Sequence, residues 1–367
     1  MQYLVTPQYV FKEREFRENY KHFEQAFMSA YHNFRVAYSF KTNYTPYICR
    51  IVNELGGYAE VTSMMEYTLA KKTGFADDKI IFNGPSKEEF PNCIINVDNL
   101  DELKVIKNNK IGIRVNIDVG QPFVSRFGIE DLEQAFKMAG DRIVGLHCHI
   151  SQTRSLQAWK TRTELMLDYS DKFFSDGELE YIDLGGGMFG DMSPFLKSQF
   201  PEVPTYEQYA DVTAKIVSDH FCGEHKPILF TEPGTALINR YIDFVTKVIS
   251  IKEIQGKTFV ELNGSKYNIG EICTLKKLPI RVVPCGAKQK KLSNADLVGY
   301  TCVEHDVMYS GFSGHLAVGD IIVFENVGGY SLVSKPPFIR PNCQMVTDSG
   351  KVIKHTETEE EILITYE

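Results

Sequence analysis

The run VAYSFK, Val36–Lys41, sets the pattern on which most of the chain is built. Five mainly apolar residues are followed at once by a charged residue, and a segment of helical length comes next. In residues 14–28, just before this run, aromatic side chains recur at the spacing of one helical face, which predicts a helix there. A short buried strand flanked by helices is the repeating unit of parallel α/β proteins.

The same unit recurs along the first two thirds of the chain. Eight strand-like runs are nearly continuous in apolar residues, as expected of parallel strands covered on both faces. They are 36–40, 57–61, 79–83, 93–97, 111–116, 143–150, 179–184 and 228–232. Helices are predicted between many of them, at 62–73, 99–107, 130–138, 157–174 and 206–219. Eight such units over about 200 residues predict a closed (β/α)8 barrel. A doubly wound open sheet is the alternative, but it would show fewer strands and an early glycine-rich turn.

Beyond about residue 240 the pattern changes to short β-rich runs separated by turns. Strands are predicted at 242–251, 258–262, 280–284, 297–301, 320–325 and 330–334, and 353–366 is a candidate for a last one. The first dozen residues are also β-like. We therefore predict a barrel over residues 14–240 and an all-β domain, a β-barrel or sandwich, over residues 241–367 together with residues 1–13.

The composition of the 367 residues restricts the class of protein. Apolar residues make up 43% and charged residues 24%, which suits large buried cores and not a disordered chain. The net charge of −8 argues against nucleic acid or an anionic membrane as a partner. No run approaches the ~20 apolar residues of a membrane span. None of the eight cysteines forms a CxxC pair, so we expect no disulfides, no metal site and a reducing cytoplasm.

Ionisable residues stand at the ends of the predicted barrel strands, where barrel enzymes hold their active sites. Lys41 follows the first strand, and partial desolvation there would lower its pKa and make it a nucleophile for an aldehyde. Glycines 185–187 follow the seventh strand, where barrels often bind phosphate, and Glu232 follows the eighth. The other strand-end residues are Glu60, Arg114, Asn116, His147 and His149. For any one of these residues, a solvated side chain, a buried core side chain or an ordinary loop is the alternative.

A reactive lysine, a phosphate cradle and a carboxylate together indicate pyridoxal phosphate. The lysine would carry the cofactor and the glycines would hold its phosphate. The carboxylate would keep the pyridine nitrogen protonated, so that the ring can accept the electrons of a carbanion. Phosphate-binding barrels without this cofactor are the alternative.

The ordered motifs of the chain resemble those of the pyridoxal-phosphate-dependent decarboxylases of alanine-racemase fold, which include the ornithine, diaminopimelate and arginine enzymes. YSFKTN (38–43) is similar to the cofactor-lysine motif of that family. Further matches follow in order: AEVTS (59–63) with Glu66, RVN (114–116), SRFGI (125–129), GLHCHI (145–150), DLGGG (183–187), EPG (232–234), GYTC (299–302) with Asp306, and FENVGGY (324–330). The resemblance implies a barrel followed by a β-domain, pyridoxal phosphate as cofactor and decarboxylation of an amino acid.

The resemblance also implies roles for single residues of the barrel. Lys41 would carry the cofactor, His149 would stack on its ring and Glu232 would pair with the pyridine nitrogen. Glu60 and Arg114 match positions that support the lysine linkage and the ring.

Further roles that the resemblance implies concern the phosphate and the second subunit. The phosphate would be held by Gly185, Gly186, Gly187, Gly234 and Tyr330. Cys302 would enter the site from the partner in a homodimer and help to protonate the carbanion. The active site would then lie between one subunit's barrel and its partner's β-domain. A buried small hydrophobic residue is the alternative for Cys302.

The chain departs from the family pattern at positions that read the phosphate and the substrate. Thr235 stands where an arginine usually contacts the phosphate, so one positive charge is missing. Asn263 and Val303, the latter followed by Glu304, stand where two acids usually grip a distal ammonium. Asn263 and Glu304 are therefore candidate substrate contacts. Without the two acids, we expect an atypical substrate and not ornithine, lysine or plain diaminopimelate.

Two other functions are alternatives to a decarboxylase. An amino-acid racemase or epimerase of the same fold would use a tyrosine as second base, and Cys302 argues against it. A non-catalytic cofactor-binding protein is suggested by Thr235 but opposed by Lys41, Glu232 and Cys302. We therefore predict a cytoplasmic homodimeric carboxy-lyase that acts on an amino acid or an amino-acid derivative.

Overall fold

The computed structural model describes residues 5–85, 87, 89–108, 110–270, 272–364 and 366. In this part of the chain no helix is both long and apolar enough to cross a membrane. The described residues pack into two compact units, one formed by those within 17–190 and 202–237 and one formed by those within 5–16, 191–201 and 238–366. We call them the barrel unit and the sheet unit. Residues 191–201 lie inside the predicted barrel range but pack in the sheet unit, and the boundaries 14–240 and 241–367 stay a prediction.

Strands and helices alternate up to about residue 240, and strands dominate beyond it. In chain order the strands are β1 (Gln8–Phe11), β2 (Phe34–Ser39), β3 (Tyr58–Val61), β4 (Ile80–Phe82), β5 (Ile94–Val97), β6 (Ile111–Arg114), β7 (Ile143–His147), β8 (Tyr181–Asp183), β9 (Ile228–Thr231), β10 (Ile242–Ile254), β11 (Lys257–Leu262), β12 (Ile280–Val283), β13 (Lys290–Val298), β14 (Val307–Leu316), β15 (Ile321–Phe324), β16 (Met345–Thr347) and β17 (Val352–Lys354). The helices are α1 (Glu13–Ala30), α2 (Pro46–Glu54), α3 (Met64–Lys72), α4 (Leu100–Val105), α5 (Leu132–Ala139), α6 (Leu156–Phe173), α7 (Pro194–Lys197), α8 (Tyr206–Asp211), α9 (Ala214–His220), α10 (Thr235–Ile238), α11 (Lys266–Ile269), α12 (Ile272–Leu275) and α13 (Glu359–Leu363).

Strands β2 to β9 form a closed parallel barrel, in which β9 is bonded back to β2. Almost every residue of these strands is buried, because helices cover the outside and side chains fill the inside. All eight strands that the sequence predicts for the barrel are present, so the (β/α)8 prediction is confirmed. Closure excludes the open doubly wound sheet.

A tyrosine fills the barrel interior below the carboxyl ends of the strands. Tyr181, the first residue of β8, packs in an apolar cluster with Ala37 and Phe230. A Cβ at Gly112 would lie 2.1 Å from the Tyr181 hydroxyl, and a Cβ at Gly145 would lie 2.1 Å from its ring. Glycines on β6 and β7 therefore provide the space for the phenol, which forms a rigid floor under the barrel mouth.

The sheet unit is built on nine hydrogen-bonded strands. Its main path runs β14-β13-β11-β10-β1-β16-β17, and β15 pairs with both β10 and β12. Strand β1 pairs antiparallel with β10 and parallel with β16, so the N-terminal strand is part of this sheet. Val10, Val245, Val323 and Val346 form one of its apolar cores. The predicted combination of a barrel with a separate C-terminal β-domain is confirmed.

Two predicted strands of the sheet unit are wrong in whole or in part. Residues 330–334 contain a 3-10 turn at Leu332–Ser334, because Tyr330 has a φ of 52°, which interrupts extended backbone. The candidate strand at 353–366 is limited to β17. Helix α13 follows it, since Thr358 caps the helix with a side-chain hydrogen bond.

Two further differences have local causes. The predicted helix over 206–219 is divided into α8 and α9, where the Thr213 hydroxyl donates back to the carbonyl of Tyr209 at 2.7 Å. Strand β14 is not predicted from the sequence, because glycine, serine and histidine interrupt its apolar alternation. It is nevertheless held by β13 across several shifts of register.

Candidate active site

Lys41 and Glu60 meet at the carboxyl ends of two neighbouring strands. Lys41 lies in a 3-10 turn directly after β2, and its Nζ is 2.5 Å from Oε2 of Glu60 on β3. Ser39 pairs with Glu60 in the parallel register, and its hydroxyl donates to the same carboxylate oxygen at 2.7 Å. The Lys41 side chain is 30% exposed, whereas that of Glu60 is 1% exposed. The site thus presents a partly accessible amine beside a buried carboxylate.

Glu232 follows β9 and is buried between two histidines. Nδ1 of His149 lies 3.0 Å from its Oε2, and Nε2 of His147 lies 3.2 Å from its Oε1. Burial alone would raise the pKa of Glu232, but the imidazoles and the Lys41 ammonium outweigh it, and the pKa lies well below its usual range. Glu232 is therefore an ionised carboxylate at neutral pH.

Asp183 and the two histidines beside Glu232 are neutral. Burial and the negative charge of Glu232 raise the pKa of Asp183, at the end of β8, well above its usual range. One side-chain atom each of His147, Asp183 and Glu232 lie within 4.8 Å of one another, and two carboxylates that close do not both ionise. Burial lowers the pKa of His147 and lowers that of His149 to about 4. The negative charge of Glu232 is therefore next to an uncharged acid and two uncharged imidazoles, and the Lys41 ammonium is a nearby cation.

Arg114, the last residue of β6, supports the segment that carries His149. Its Nη1 lies 3.2 Å from Oδ1 of Asp98, and its Nη2 donates to the backbone carbonyl of His149 at 3.2 Å. Its guanidinium also lies 4.6 Å from the centre of the Phe127 ring. Asn116, which the sequence places at the same strand end, donates to the carbonyl of Phe127 at 2.8 Å and holds the neighbouring loop.

Two glycine segments lie beside these side chains. Gly185 and Gly187 have φ values of 69° and 103°, a backbone region that residues with a side chain rarely adopt. A Cβ at Gly186 would lie 2.5 Å from the carbonyl oxygen of Glu232, and a Cβ at Gly234 would lie 2.0 Å from the hydroxyl of Thr42. Neither segment has room for a side chain, so an anion held there would meet backbone.

Arg162 on α6 is a buried cation attached to the glycine loop. Its Nη1 donates to the carbonyls of Leu184 at 2.8 Å and Gly186 at 3.0 Å, and its Nη2 donates to that of Ile150 at 3.1 Å. The guanidinium lies 4.0 Å from the centre of the Trp159 ring. Arg162 is not among the residues that the sequence predicts, because it stands in mid-helix, where an arginine is normally solvated. Its place three residues after the tryptophan, on one helical face, was the available signal.

Asn83, directly after β4, is 3% exposed and is also absent from the predicted set. Its Nδ2 lies 3.3 Å from Oε1 of Glu60 and donates to Oε1 of Glu232. Its Oδ1 accepts a hydrogen bond from Nδ2 of Asn96 at 2.8 Å. An asparagine before a glycine is typical of a turn, so the sequence alone gives no sign that it joins two buried carboxylates.

The remaining predicted residues lie in the sheet unit. Tyr330 is 41% exposed and borders a cavity of about 520 Å³, together with Lys266, Tyr267, Lys335 and Phe338. No acidic residue is among the described side chains that line this cavity.

The loop with Cys302 and Glu304 is held from inside, whereas both of these side chains are exposed. Asp306 is buried, and it accepts hydrogen bonds from the hydroxyls of Thr301 at 2.7 Å and Ser265 at 3.0 Å. The structure therefore presents the Cys302 thiol to the outside of the chain on a loop that Asp306 holds in place.

Asn263 is buried in the sheet unit and is hydrogen-bonded within it. Its Oδ1 accepts from the Thr246 hydroxyl at 2.7 Å and from the backbone N–H of Lys247 at 2.8 Å. Its Nδ2 donates to the Thr6 hydroxyl at 3.0 Å. The amide has three partners inside the sheet, which is the environment of a structural side chain.

The barrel residues fit pyridoxal phosphate. The partly accessible Lys41 matches the aldehyde, the buried ionised Glu232 matches the pyridine nitrogen, and the glycine segments that exclude a Cβ match the phosphate. Thr235 brings no charge to the phosphate, but Arg162 is a cation bonded to the glycine loop.

Known proteins support the same assignment. Residues 13–239 match the family model described as pyridoxal-dependent decarboxylase, pyridoxal binding domain, and residues 237–328 match the model of its C-terminal sheet domain. Diaminopimelate decarboxylase of Aquifex aeolicus (strain VF5) is 26% identical over 383 residues, 95% of this chain and 88% of that protein. Crystal structures of diaminopimelate decarboxylases from Methanocaldococcus jannaschii and from Helicobacter pylori, the latter with L-lysine, both have a TM-score of 0.83, with 25% and 23% identity. They cover 98% and 100% of this chain, and 91% and 98% of their own. The chain belongs to the pyridoxal-dependent decarboxylase family.

Proposed function

We propose that this pyridoxal-phosphate-dependent decarboxylase removes the α-carboxylate of an amino acid or an amino-acid derivative, with the residues of the barrel mouth as its machinery. The observation that carries the proposal is the convergence of Lys41, Glu60 and Glu232 at one end of a closed barrel. When bound, pyridoxal phosphate supplies an electron sink for the carbanion left by CO2. The relatives named above are decarboxylases, so a racemase is not favoured.

Lys41 is the residue that we assign to the aldehyde of the cofactor. An amine must lose its proton before it attacks an aldehyde, and Oε2 of Glu60 is placed 2.5 Å from Nζ to accept that proton. Ser39 donates to the same oxygen and keeps the carboxylate aimed at the lysine. Glu60 therefore orients the amine and exchanges a proton with it.

Glu232 is the residue that we assign to the pyridine nitrogen. An ionised carboxylate in a buried site stabilises a proton on a nitrogen that faces it. His149, which contacts this carboxylate at 3.0 Å, is assigned to the face of the ring. Because its pKa is about 4, the imidazole is uncharged and leaves the charge of Glu232 available to the nitrogen.

The phosphate is assigned to the glycine segments, Gly185–Gly187 and Gly234, and, on the resemblance alone, to Tyr330. Arg162 supports this assignment, because three backbone carbonyls of the surrounding segments bond to its guanidinium. A buried positive charge beside the loop favours an anion there. In this chain the Arg162 guanidinium supplies the positive charge that is missing at Thr235.

We further propose a homodimer in which the partner subunit's Cys302 protonates the carbanion. The thiol is exposed in the single chain and its loop is fixed by Asp306, which suits a group that acts across a subunit contact. All eight cysteines are free, which supports a reducing compartment such as the cytoplasm.

The substrate that we propose is an amino acid whose side chain does not end in an ammonium group. Asn263 is hydrogen-bonded inside the sheet unit, and Val303 is apolar. Neither residue therefore supplies the carboxylate that would bind a distal ammonium of the substrate. Glu304 is the exposed acid that stays a candidate substrate contact.

The experiment is to measure CO2 release from carboxyl-labelled amino acids by the holoenzyme. The panel should contain ornithine, lysine, arginine, the diaminopimelate stereoisomers and amino acids with acidic or amide side chains. We expect CO2 release from one of the amino acids that lack an ammonium group at the far end of the side chain. The Lys41→Ala variant should release none. Full cofactor loading without release from any substrate would contradict a decarboxylase. Deuterium incorporation at the α-carbon without CO2 loss would instead indicate a racemase.

A further inference from the structure

Asn83 connects the two buried carboxylates of the barrel mouth. We propose that it is a positioning residue that holds the carboxyl groups of Glu60 and Glu232 as a linked pair of hydrogen-bond acceptors, and that its own orientation is set from the barrel floor through Asn96 and Tyr181. The inference rests on the function proposed above for the two glutamates. It assigns a role to a side chain that touches neither the aldehyde nor the pyridine nitrogen.

The two carboxylates fix which way the amide of Asn83 points. An amide offers two N–H donors on one side and one acceptor on the other. Nδ2 faces Oε1 of Glu60 at 3.3 Å and Oε1 of Glu232 at hydrogen-bond distance. The reversed amide would bring its carbonyl oxygen against two carboxylate oxygens with no proton between them. Both hydrogens of Nδ2 are therefore used, one for each glutamate.

The opposite side of the amide is held by a chain of side chains that reaches the floor. Oδ1 of Asn83 accepts from Nδ2 of Asn96 at 2.8 Å, and Oδ1 of Asn96 accepts from the Tyr181 hydroxyl at 2.7 Å. Each link therefore has a defined donor and acceptor. Tyr181 is buried in an apolar cluster and lies close against the backbone of Gly112 and Gly145. A packed side chain of the barrel interior thus sets the geometry of the mouth.

The chemical consequence concerns the charge of the two glutamates. A donated hydrogen bond stabilises an ionised carboxylate, so loss of the donor raises the pKa of Glu232 and leaves Glu60 with one hydrogen bond fewer. Among the described residues, the other titratable groups that interact with the pair are Lys41, Glu66, Arg114, His147, Cys148, His149, Arg162 and Asp183. Asn83 is the uncharged member that contacts both glutamates, so it links the proton exchanged at Lys41 to the charge held at Glu232.

Asn83→Asp tests the proposal with an isosteric change. The substitution replaces the NH2 group of the amide, which donates to both glutamates, by a carboxyl oxygen. The new carboxyl group either carries a negative charge or shares a proton with a glutamate. In both cases the neighbouring groups hold a proton up to a higher pH. We expect the pH midpoint of the bound cofactor's visible absorption to rise by about one unit or more. We also expect kcat to fall about tenfold or more with a smaller change in KM.

Asn19→Asp is the matched control. Asn19 is another buried asparagine of the barrel unit, and its Nδ2 donates to the carbonyls of Ala236 at 3.3 Å and Leu237 at 3.2 Å, away from any glutamate of the site. This variant suffers the general cost of a buried aspartate. We expect its absorption midpoint to equal that of the wild type.

Equal absorption midpoints in the wild type and Asn83→Asp, or equal shifts in both aspartate variants, would overturn the proposal.

If Asn83→Asp does not fold, Asn83→Ser replaces it. A single hydroxyl can donate to one carboxylate only, so we expect a smaller upward shift of the midpoint. The absence of any shift would contradict the proposal. If the wild-type midpoint lies outside the accessible range, kcat of the fully loaded enzyme is compared instead, with a fall of about tenfold or more expected for Asn83→Asp and none for Asn19→Asp. Failure of the proposed function is seen separately, as a wild-type protein that binds cofactor and releases no CO2.

Discussion

Two parts of the site at the barrel mouth differ in what they are made of: one is built from side chains and the other from backbone. At one end, which we call the carboxylate end, Lys41, Glu60, Asn83, Glu232 and His149 are joined side chain to side chain. At the other, the glycine end, the walls are the backbone of Gly185–Gly187 and Gly234, with Arg162 bonded to the carbonyls behind them. At the carboxylate end each side chain contacts the next one, so a change in one group alters its neighbours. At the glycine end the fold fixes the backbone, and Arg162 is a charged side chain bonded to it.

The difference implies that single substitutions at the carboxylate end act on chemistry, whereas those at the glycine end act on cofactor affinity. A substitution that lowers kcat with unchanged cofactor binding belongs to the first class. One that weakens cofactor binding and leaves the turnover of the loaded enzyme intact belongs to the second. The predictions below test this division.

The largest effect is expected for Lys41→Ala. Loss of the amine that reacts with the aldehyde should lower CO2 release by about 10³-fold or more. Borohydride reduction followed by mass measurement should no longer find the cofactor attached to the protein. Lys172→Ala, at an exposed lysine on α6 that pairs with Glu133, is the control and should behave as wild type. Covalent attachment that survives in Lys41→Ala would move the assignment to another lysine.

Glu232→Gln should have the next largest effect. The change keeps the shape of the side chain but removes the charge that stabilises a proton on the pyridine nitrogen. We expect kcat to fall about 10²-fold, with a cofactor dissociation constant changed much less. Because the negative charge also raises the pKa of Asp183, the variant should in addition let Asp183 ionise at lower pH. A glutamine variant that loses cofactor and retains kcat would break the division between the two ends.

These two residues mark what a sequence can predict. Lys41 and Glu232 follow apolar strands, and a charged residue at the carboxyl end of a barrel strand points to the mouth whatever the details of packing. The closed barrel was predictable for the same reason, since eight buried strands carry a strong local signal.

Asn83 and Arg162 show why the remaining part of the site was not predictable. Their function depends on what lies opposite them in space: two carboxylates in one case and three backbone carbonyls in the other. Sequence position gives the residue type but not these partners. Asn263 shows the same limit from the other side. Its position in a motif predicts a substrate contact, and the structure adds three partners that the sequence does not give, since its amide is hydrogen-bonded to Thr246, Lys247 and Thr6.

Arg162→Met tests the glycine end. Methionine preserves much of the buried volume but removes the charge and the donors to the loop carbonyls. We expect the cofactor to dissociate about 10-fold to 100-fold more readily, with kcat of the fully loaded enzyme within about twofold of wild type. Equilibrium binding of cofactor to the cofactor-free protein measures the first quantity. A drop in kcat at saturating cofactor would show that Arg162 also acts on the chemistry.

His149 offers a pH test of the carboxylate end in the cofactor-free protein. Its pKa in the folded protein is about 4, below the ordinary value of about 6.5. Unfolding therefore takes up a proton between these two values, and this residue makes the protein less stable as the pH falls from 7 to 5. The contribution at pH 5 is about 2 kcal/mol, or several degrees in Tm. In His149→Gln the difference in Tm between pH 7 and pH 5 should be smaller by that amount. An unchanged difference would show that the imidazole is not buried in its neutral form.

Thr235→Arg should have the smallest effect and bears on the glycine end alone. It restores a cation at the start of α10, beside Gly234, where the family usually has one. In the wild-type background the buried Arg162 already provides charge, so we expect cofactor binding to tighten only a few-fold, as for a partly exposed charge. In the Arg162→Met background the same substitution should recover more, because the charge of Arg162 is then missing. A larger gain in cofactor affinity from Thr235→Arg in the Arg162→Met background than in the wild type would show that Arg162 and an arginine at position 235 supply the same positive charge. Equal gains in both backgrounds would mean that Arg162 serves only to hold the loop, and that its positive charge does not reach the phosphate.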